Sequence, residues 1–174
     1  MSMIEFCSYK LVPASFNPWR EEFLTVATHI MQRLADPRFT FLHFGSSSFY
    51  VAGKGIIDIS ILYQPGELGS AVEYIKQFGF VDQHSNKPFP ATRPRKDIGV
   101  KYNGEVFNVH LHVIEHNSEE HLKQVAYKQH MLENPEDRAA YEAKKKAVLA
   151  EGNTVQDDYG KAKSPFVKSI LSQL

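Results

Sequence analysis

Apolar residues recur along this chain with two different periods, and the switches between them lay out its elements. After Asn17-Pro18, which offers an N-cap and a first-turn proline, Trp19, Phe23, Val26, Ala27, Ile30, Met31 and Leu34 return at helical spacing. That spacing predicts an amphipathic helix ending near Ala35. Beyond the Asp36-Pro37 turn, the aromatic-rich run from Phe39 to Phe44 reads as a strand that breaks at Gly45. Ile56 to Leu62 is a β-branched run suited to a central strand, with Asp58 and Ser60 on one face and Ile57, Ile59 and Ile61 on the other.

Pro65-Gly66 marks a turn, Leu68 to Phe78 a second helix, and Gly79 stands where a C-cap glycine belongs. Gln83 to Asp97, with Pro88, Pro90 and Pro94 beside Arg93, Arg95 and Lys96, is expected to be a surface loop. Asn103-Gly104 between two β-patterned arms is the strongest hairpin signal. In the second arm Val109, Leu111 and Val113 face one way and Asn108, His110 and His112 the other. The remainder is helical. Asn117 with Glu120 caps a helix to about Glu133, Asn134-Pro135 opens another that closes at Gly152, and Tyr159 to Leu174 forms a last one with Phe166, Ile170 and Leu171 on its buried stripe. The order predicts an α+β protein: a mixed sheet packed with helices, and a helical C-terminal part from about 118 to 174 lying on it. With no repeat, low-complexity segment or linker, residues 1–174 read as one domain.

Composition narrows the function. At 174 residues with 43% hydrophobic content, including twelve Phe and eight Tyr, the chain can fill a core of its own. Lysine plus arginine and aspartate plus glutamate balance at twenty each, so no global field draws nucleic acid or an anionic membrane, and a nucleic-acid partner is not expected. One cysteine, Cys7, gives no internal disulfide framework. The N-terminus lacks a basic region followed by an apolar core, and no apolar run approaches the roughly 18 residues needed to span a bilayer. A cytoplasmic, non-membrane protein is expected; no pattern sets an oligomeric state.

The candidate chemistry lies between His43 and Ser60. Gly45-Ser46-Ser47 supplies backbone N–H groups and hydroxyls at a strand end, an arrangement that suits phosphate, and the outward Asp58 follows on the next strand. His43 either orients that turn or touches a phosphate. His110 and His112, alternate residues on one strand face, can join Asp58 around a single metal ion; equally they can cover the sheet face and bond to neighbours. Lys54, Arg93, Arg95 and Lys101 can neutralise a polyanion, with Lys128 and Lys163 reaching in from the C-terminal helices; each alone also reads as a solvated charge. Arg93-Pro94-Arg95-Lys96 has the best claim, because a loop can close over phosphate.

Read together, Leu11-Val12-Pro13, Trp19, Phe23, His43-Phe44-Gly45-Ser46-Ser47, Lys54, Ile56-Ile57-Asp58-Ile59, His110-Leu111-His112, Asn134-Pro135, Tyr141, Lys145, Tyr159, Lys163 and Phe166 resemble the GrpB family, a branch of the nucleotidyltransferase fold superfamily. The resemblance implies a nucleotidyltransferase-like mixed sheet that binds a nucleotide or phosphorylated small molecule, with nucleotidyl transfer dependent on a divalent metal (Mg, Mn or Zn). Asp58 would hold the metal, Ser46 and Ser47 the phosphates, and His112 would be ligand or general base. The chain departs from the pattern in three places. Phe49 to Gly53 replaces a Val-Pro-Gly-Leu segment, Tyr127-Lys128-Gln129 replaces Phe-Arg-Asp, and Ser60 stands where the superfamily carries a second carboxylate. A neutral hydroxyl is a poor magnesium ligand, so enzyme status stays open. The alternative is a non-catalytic binding or folding-assistance module, which the family's fusions to dephospho-coenzyme A kinase suggest.

Overall fold

The computed structural model describes residues 3–13, 15–151, 167–172 and 174. Four α-helices and six strands are built from these residues, together with one 3-10 turn. The strands are β1 (Ile4–Cys7), β2 (Phe39–Phe44), β3 (Ile56–Tyr63), β4 (Val81–Asp82), β5 (Arg95–Tyr102) and β6 (Glu105–Glu115). The helices are α1 (Glu22–Arg33), α2 (Leu68–Lys76), α3 (Glu119–Glu133) and α4 (Pro135–Ala150), and the 3-10 turn is Ser46–Ser48. The strands form one mixed sheet in the order β1-β5-β6-β3-β2, with β4 also on β5. Only β3 and β6 run parallel.

Strand periodicity sorts the sheet into two unlike faces. Ile57, Ile59 and Ile61 of β3 and Val109, Leu111 and Val113 of β6 are fully buried in one core with Val26, Ala27 and Ile30 of α1 and Ala71 and Ile75 of α2. Each buried isoleucine contributes roughly 1.5–3 kcal/mol against exposure, so a register slip of one residue, which would turn this whole set outward, is strongly excluded. The opposite face is polar. There α3 lies against β2 and β6, and α3 and α4 meet at a smaller core of Phe49, Val51, Met131 and Tyr141. The α+β class and the mixed sheet are as the sequence pattern requires.

Several local expectations are corrected. Asn17 does not cap α1: its backbone pairs with Gly53, donating at 2.6 Å and accepting at 3.0 Å, and the helix begins only at Glu22. The α3 cap is Ser118, whose hydroxyl accepts from the His121 N–H at 3.3 Å, while Asn117 turns left-handed with φ 64°. The supposed loop ends three residues early, because Arg95, Lys96 and Asp97 already belong to β5. β1, an edge strand on β5, was not foreseen. The hairpin forms as expected, with Asn103 and Gly104 both at positive φ (50° and 78°). Of the last expected helix, residues 167–171 are helical and Ile170 is buried; Tyr159, Lys163 and Phe166 lie outside the described residues.

Candidate functional site

Sheet register assembles the polar face in two rows. Phe44, Asp58, His110 and Asp97 stand opposite one another across β2, β3, β6 and β5, and one step along lie Leu42, Ser60, His112 and Arg95. The N-terminal side of α3, Tyr141 in the middle of α4, and Val167 and Leu171 of the C-terminal helical residues wall this face, leaving a cleft of about 410 Å³. Pockets of roughly 300–1,000 Å³ take small molecules and cofactors. Aromatic rings of Phe44, Phe49, Phe89, Tyr127 and Tyr141 line it, and Lys54, Arg93, Arg95 and Lys123 bring positive charge.

Asp58 sits on the floor, with its side chain 28% exposed. Its Oδ1 is 3.5 Å from His112 Nε2 and 3.8 Å from His110 Nδ1. Burial alone would raise its pKa, but the His112 side chain, with His110 and Lys54 beside it, outweighs that effect and holds the carboxyl below the usual range. It is therefore ionised at neutral pH. His110 is pushed well below its ordinary value, first by burial and then by Arg95, so its imidazole is neutral there.

The glycine-serine turn meets this carboxylate directly. Gly45 has φ 73° and ψ −179°, and a Cβ at that position would lie 2.7 Å from Asp58 Oδ2. Glycine alone tolerates that backbone region, and it alone leaves room for the acid. The turn then closes through Ser48 N–H to Gly45 O at 2.9 Å and Phe49 N–H to Ser46 O at 3.2 Å. Ser46 Oγ accepts from Lys145 Nζ, which leaves the Ser46 O–H proton to donate elsewhere.

Of the residues singled out from sequence, Gly45, Ser46, Lys54, Asp58, Arg93, Arg95, His110 and His112 all line the cleft. The others stand elsewhere. His43 shares the register position of Ile59, hence the apolar face, and its Nε2 is 2.8 Å from Ser47 Oγ. Burial, then the Lys128 charge, push its pKa down to about 4. Lys128 donates to the His43 carbonyl at 2.7 Å, and Ser47 accepts Trp19 Nε1–H on its own carbonyl at 2.9 Å. These residues hold up the back of the turn. Lys101 is exposed on β5, opposite Glu5 and Val106, and Lys163 lies outside the described residues.

Sequence reasoning passed over three participants. Asp97, fully buried, stands in the same polar row as Asp58, but Arg95 grips it with two bonds of 2.9 and 3.0 Å. Burial raises its pKa against the pull of Arg95. Its signal was the alternation Asp97, Ile98, Gly99, Val100, hidden inside a segment read as loop. Lys145, which entered the sequence reading only through the family pattern, is 2% exposed and also faces the Tyr141 ring at 4.4 Å. Gln124 accepts the hydroxyl of the fully buried Ser60 at 2.6 Å, so Ser60 is turned to α3 and not toward Asp58. No pattern in the sequence could have linked Ser60 to Gln124.

Asp58 and the two imidazoles converge, yet among the described residues no group of three His, Cys, Asp or Glu side chains is set to hold a metal ion unaided. Among the described residues no helix is long and apolar enough to cross a membrane.

Fold and site thus define an α+β protein whose mixed sheet carries one open carboxylate beside a glycine-serine turn. The chain belongs to the GrpB protein family, whose pattern matches residues 10–173. No curated protein matches it. Among solved structures it is similar to a cytoplasmic RNA terminal U-transferase, with a TM-score of 0.45 and 12% identity. The likeness takes in 74% of this chain and 43% of that one.

Proposed function

We propose that the cleft binds a nucleotide, or a phosphorylated small molecule with an aromatic group, together with a divalent cation. The observation that carries this reading is the seating of Gly45 against Asp58: a phosphate-suited turn and an ionised carboxylate share one cavity, walled by aromatic rings and cationic side chains. Ser46 and Lys54 face the phosphates from the floor, and Arg93, held on the loop by the Phe89 ring at 5.5 Å, faces them from above. Phe89 and Tyr127 offer faces on which a base can stack. The cation would be held by Asp58 with His112 and His110 beside it, and would neutralise phosphate charge. In transfer of a nucleotidyl group, His112, 3.5 Å from Asp58, is the general base that takes the acceptor's proton.

Binding without transfer is the second reading, and one observation favours it. Ser60 is turned away and Asp97 is clamped by Arg95, so Asp58 is the one acid of the two floor rows open to a ligand.

Thermal unfolding of wild type and Asp58→Ala against ATP, GTP, CTP, UTP and inorganic phosphate, with and without Mg²⁺, Mn²⁺ and Zn²⁺, tests the shared claim. A ligand at about 100 times its Kd adds roughly 2.7 kcal/mol, a rise of several degrees at this size. A metal-dependent rise in wild type that vanishes in Asp58→Ala is expected; no rise with any ligand would overturn the reading. Release of pyrophosphate then separates transfer from binding alone.

A further inference from the structure

The residues leading out of β1 do more than connect it to α1. Immediately after Cys7 the chain leaves the sheet edge and crosses its polar side toward β6. The crossing runs over Gly99 of β5, where a Cβ would lie 2.6 Å from the Ser8 carbonyl oxygen and 3.0 Å from Cys7 Sγ. No residue with a side chain fits beneath the crossing strap. On the far side Asn108 Nδ2 of β6 donates to the Lys10 carbonyl at 2.9 Å and pins the strap down. Between these two points stands Tyr9, whose hydroxyl is 2.9 Å from His110 Nε2, with the rings 5.7 Å apart.

The other ring nitrogen of His110, Nδ1, faces the Asp58 carboxylate at 3.8 Å. An ionised carboxylate only accepts hydrogen bonds. A neutral imidazole carries one proton, and that proton is best placed on the nitrogen facing the acid. Nε2 then has a bare lone pair, and the Tyr9 O–H is the donor that meets it.

We propose that Tyr9 is a positioning residue of the cleft: carried over Gly99 on the N-terminal strap, its hydroxyl donates to His110 Nε2 and fixes the tautomer whose Nδ1–H faces Asp58. His110 then orients the carboxylate and does not ligate a cation, which leaves Asp58 as the ligand with His112 beside it. The tautomer follows from the geometry alone; its consequence for ligand binding rests on the function proposed above.

Long-range ¹H–¹⁵N spectra of the histidine rings in the ¹⁵N-labelled full chain at pH 7 test this without any ligand. In wild type, His110 should show a pyrrole-type Nδ1 and a pyridine-type Nε2. Tyr9→Phe, which keeps the ring and loses the hydroxyl, should move both signals toward the average of the two tautomers while the backbone amide spectrum elsewhere stays in place. Gly99→Ala, which lifts the strap by another route, should produce the same His110 change; a strap that never touched His110 would leave it unmoved. A wild-type Nε2–H tautomer, or His110 signals indifferent to Tyr9→Phe, overturns the proposal. With ATP and Mg²⁺ added, Tyr9→Phe should weaken binding on the order of tenfold, as loss of an outer partner of a site histidine does. If ATP binds neither protein but the tautomer shifts as described, the nucleotide reading fails and the role of Tyr9 stands.

Discussion

Placing a methyl group on Gly45 probes the join between turn and carboxylate. Two costs follow from the geometry. At φ 73° and ψ −179° an alanine occupies a region essentially restricted to glycine, which costs about 1–3 kcal/mol. Its Cβ would also sit 2.7 Å from Asp58 Oδ2, with Asp58 Cβ at 3.2 Å, so the acid must rotate away from His112 or the turn must shift, at roughly another 1–2 kcal/mol. Gly45→Ala should therefore lose about 3 kcal/mol, a fall in Tm of roughly 6–12 °C for a domain of this size. Urea unfolding followed by circular dichroism reads the loss. The same substitution in an Asp58→Ala background separates the two costs, because removing the carboxylate relieves the clash and leaves the backbone strain. A coupling of about 1–2 kcal/mol between the two positions is expected. A Gly45→Ala protein within about 0.5 kcal/mol of wild type would refute the strain, and equal cost in both backgrounds would refute the contact with Asp58.

Other outcomes follow from buried groups. His43 has a folded pKa of about 4 against 6.5 for the free side chain, so the fold binds its proton less well than the unfolded chain does. Its contribution is fully present above pH 6.5 and drains away as the pH falls toward 4; between pH 7 and pH 5 the loss should be roughly 2 kcal/mol. His43→Gln should flatten that part of the urea-measured pH profile, and an unchanged slope would show that His43 is not the group responsible. Ser60→Asp, which restores the second carboxylate on paper, should destabilise by about 2–4 kcal/mol, since it puts a charge at a fully buried position against the Gln124 carbonyl. Wild-type stability combined with a new Mg²⁺-dependent rise in Tm would sink that view of Ser60.

Much of this protein was determined by sequence alone, because local chemistry and periodicity are carried by neighbouring residues. The isoleucines of β3 alternate with Asp58 and Ser60, and that alternation by itself decides which face is core and which carries chemistry. Asn103-Gly104 sets the hairpin, Gly45 breaks β2, and the family pattern joins the glycine-serine turn to Asp58 and the histidine pair. What tertiary structure decided are relations between distant residues. Asp97 enters the polar row because β5 pairs with β6 already at Arg95, against the loop signal of three prolines. His43 leaves the site because its pairing with Ile59 turns it to the apolar side. Ser60 is spent on Gln124, 64 positions away, and Lys145 reaches Ser46 across 99. Periodicity fixes the direction in which a side chain leaves its own element; only packing and sheet register, which bring remote segments together, decide what it meets there.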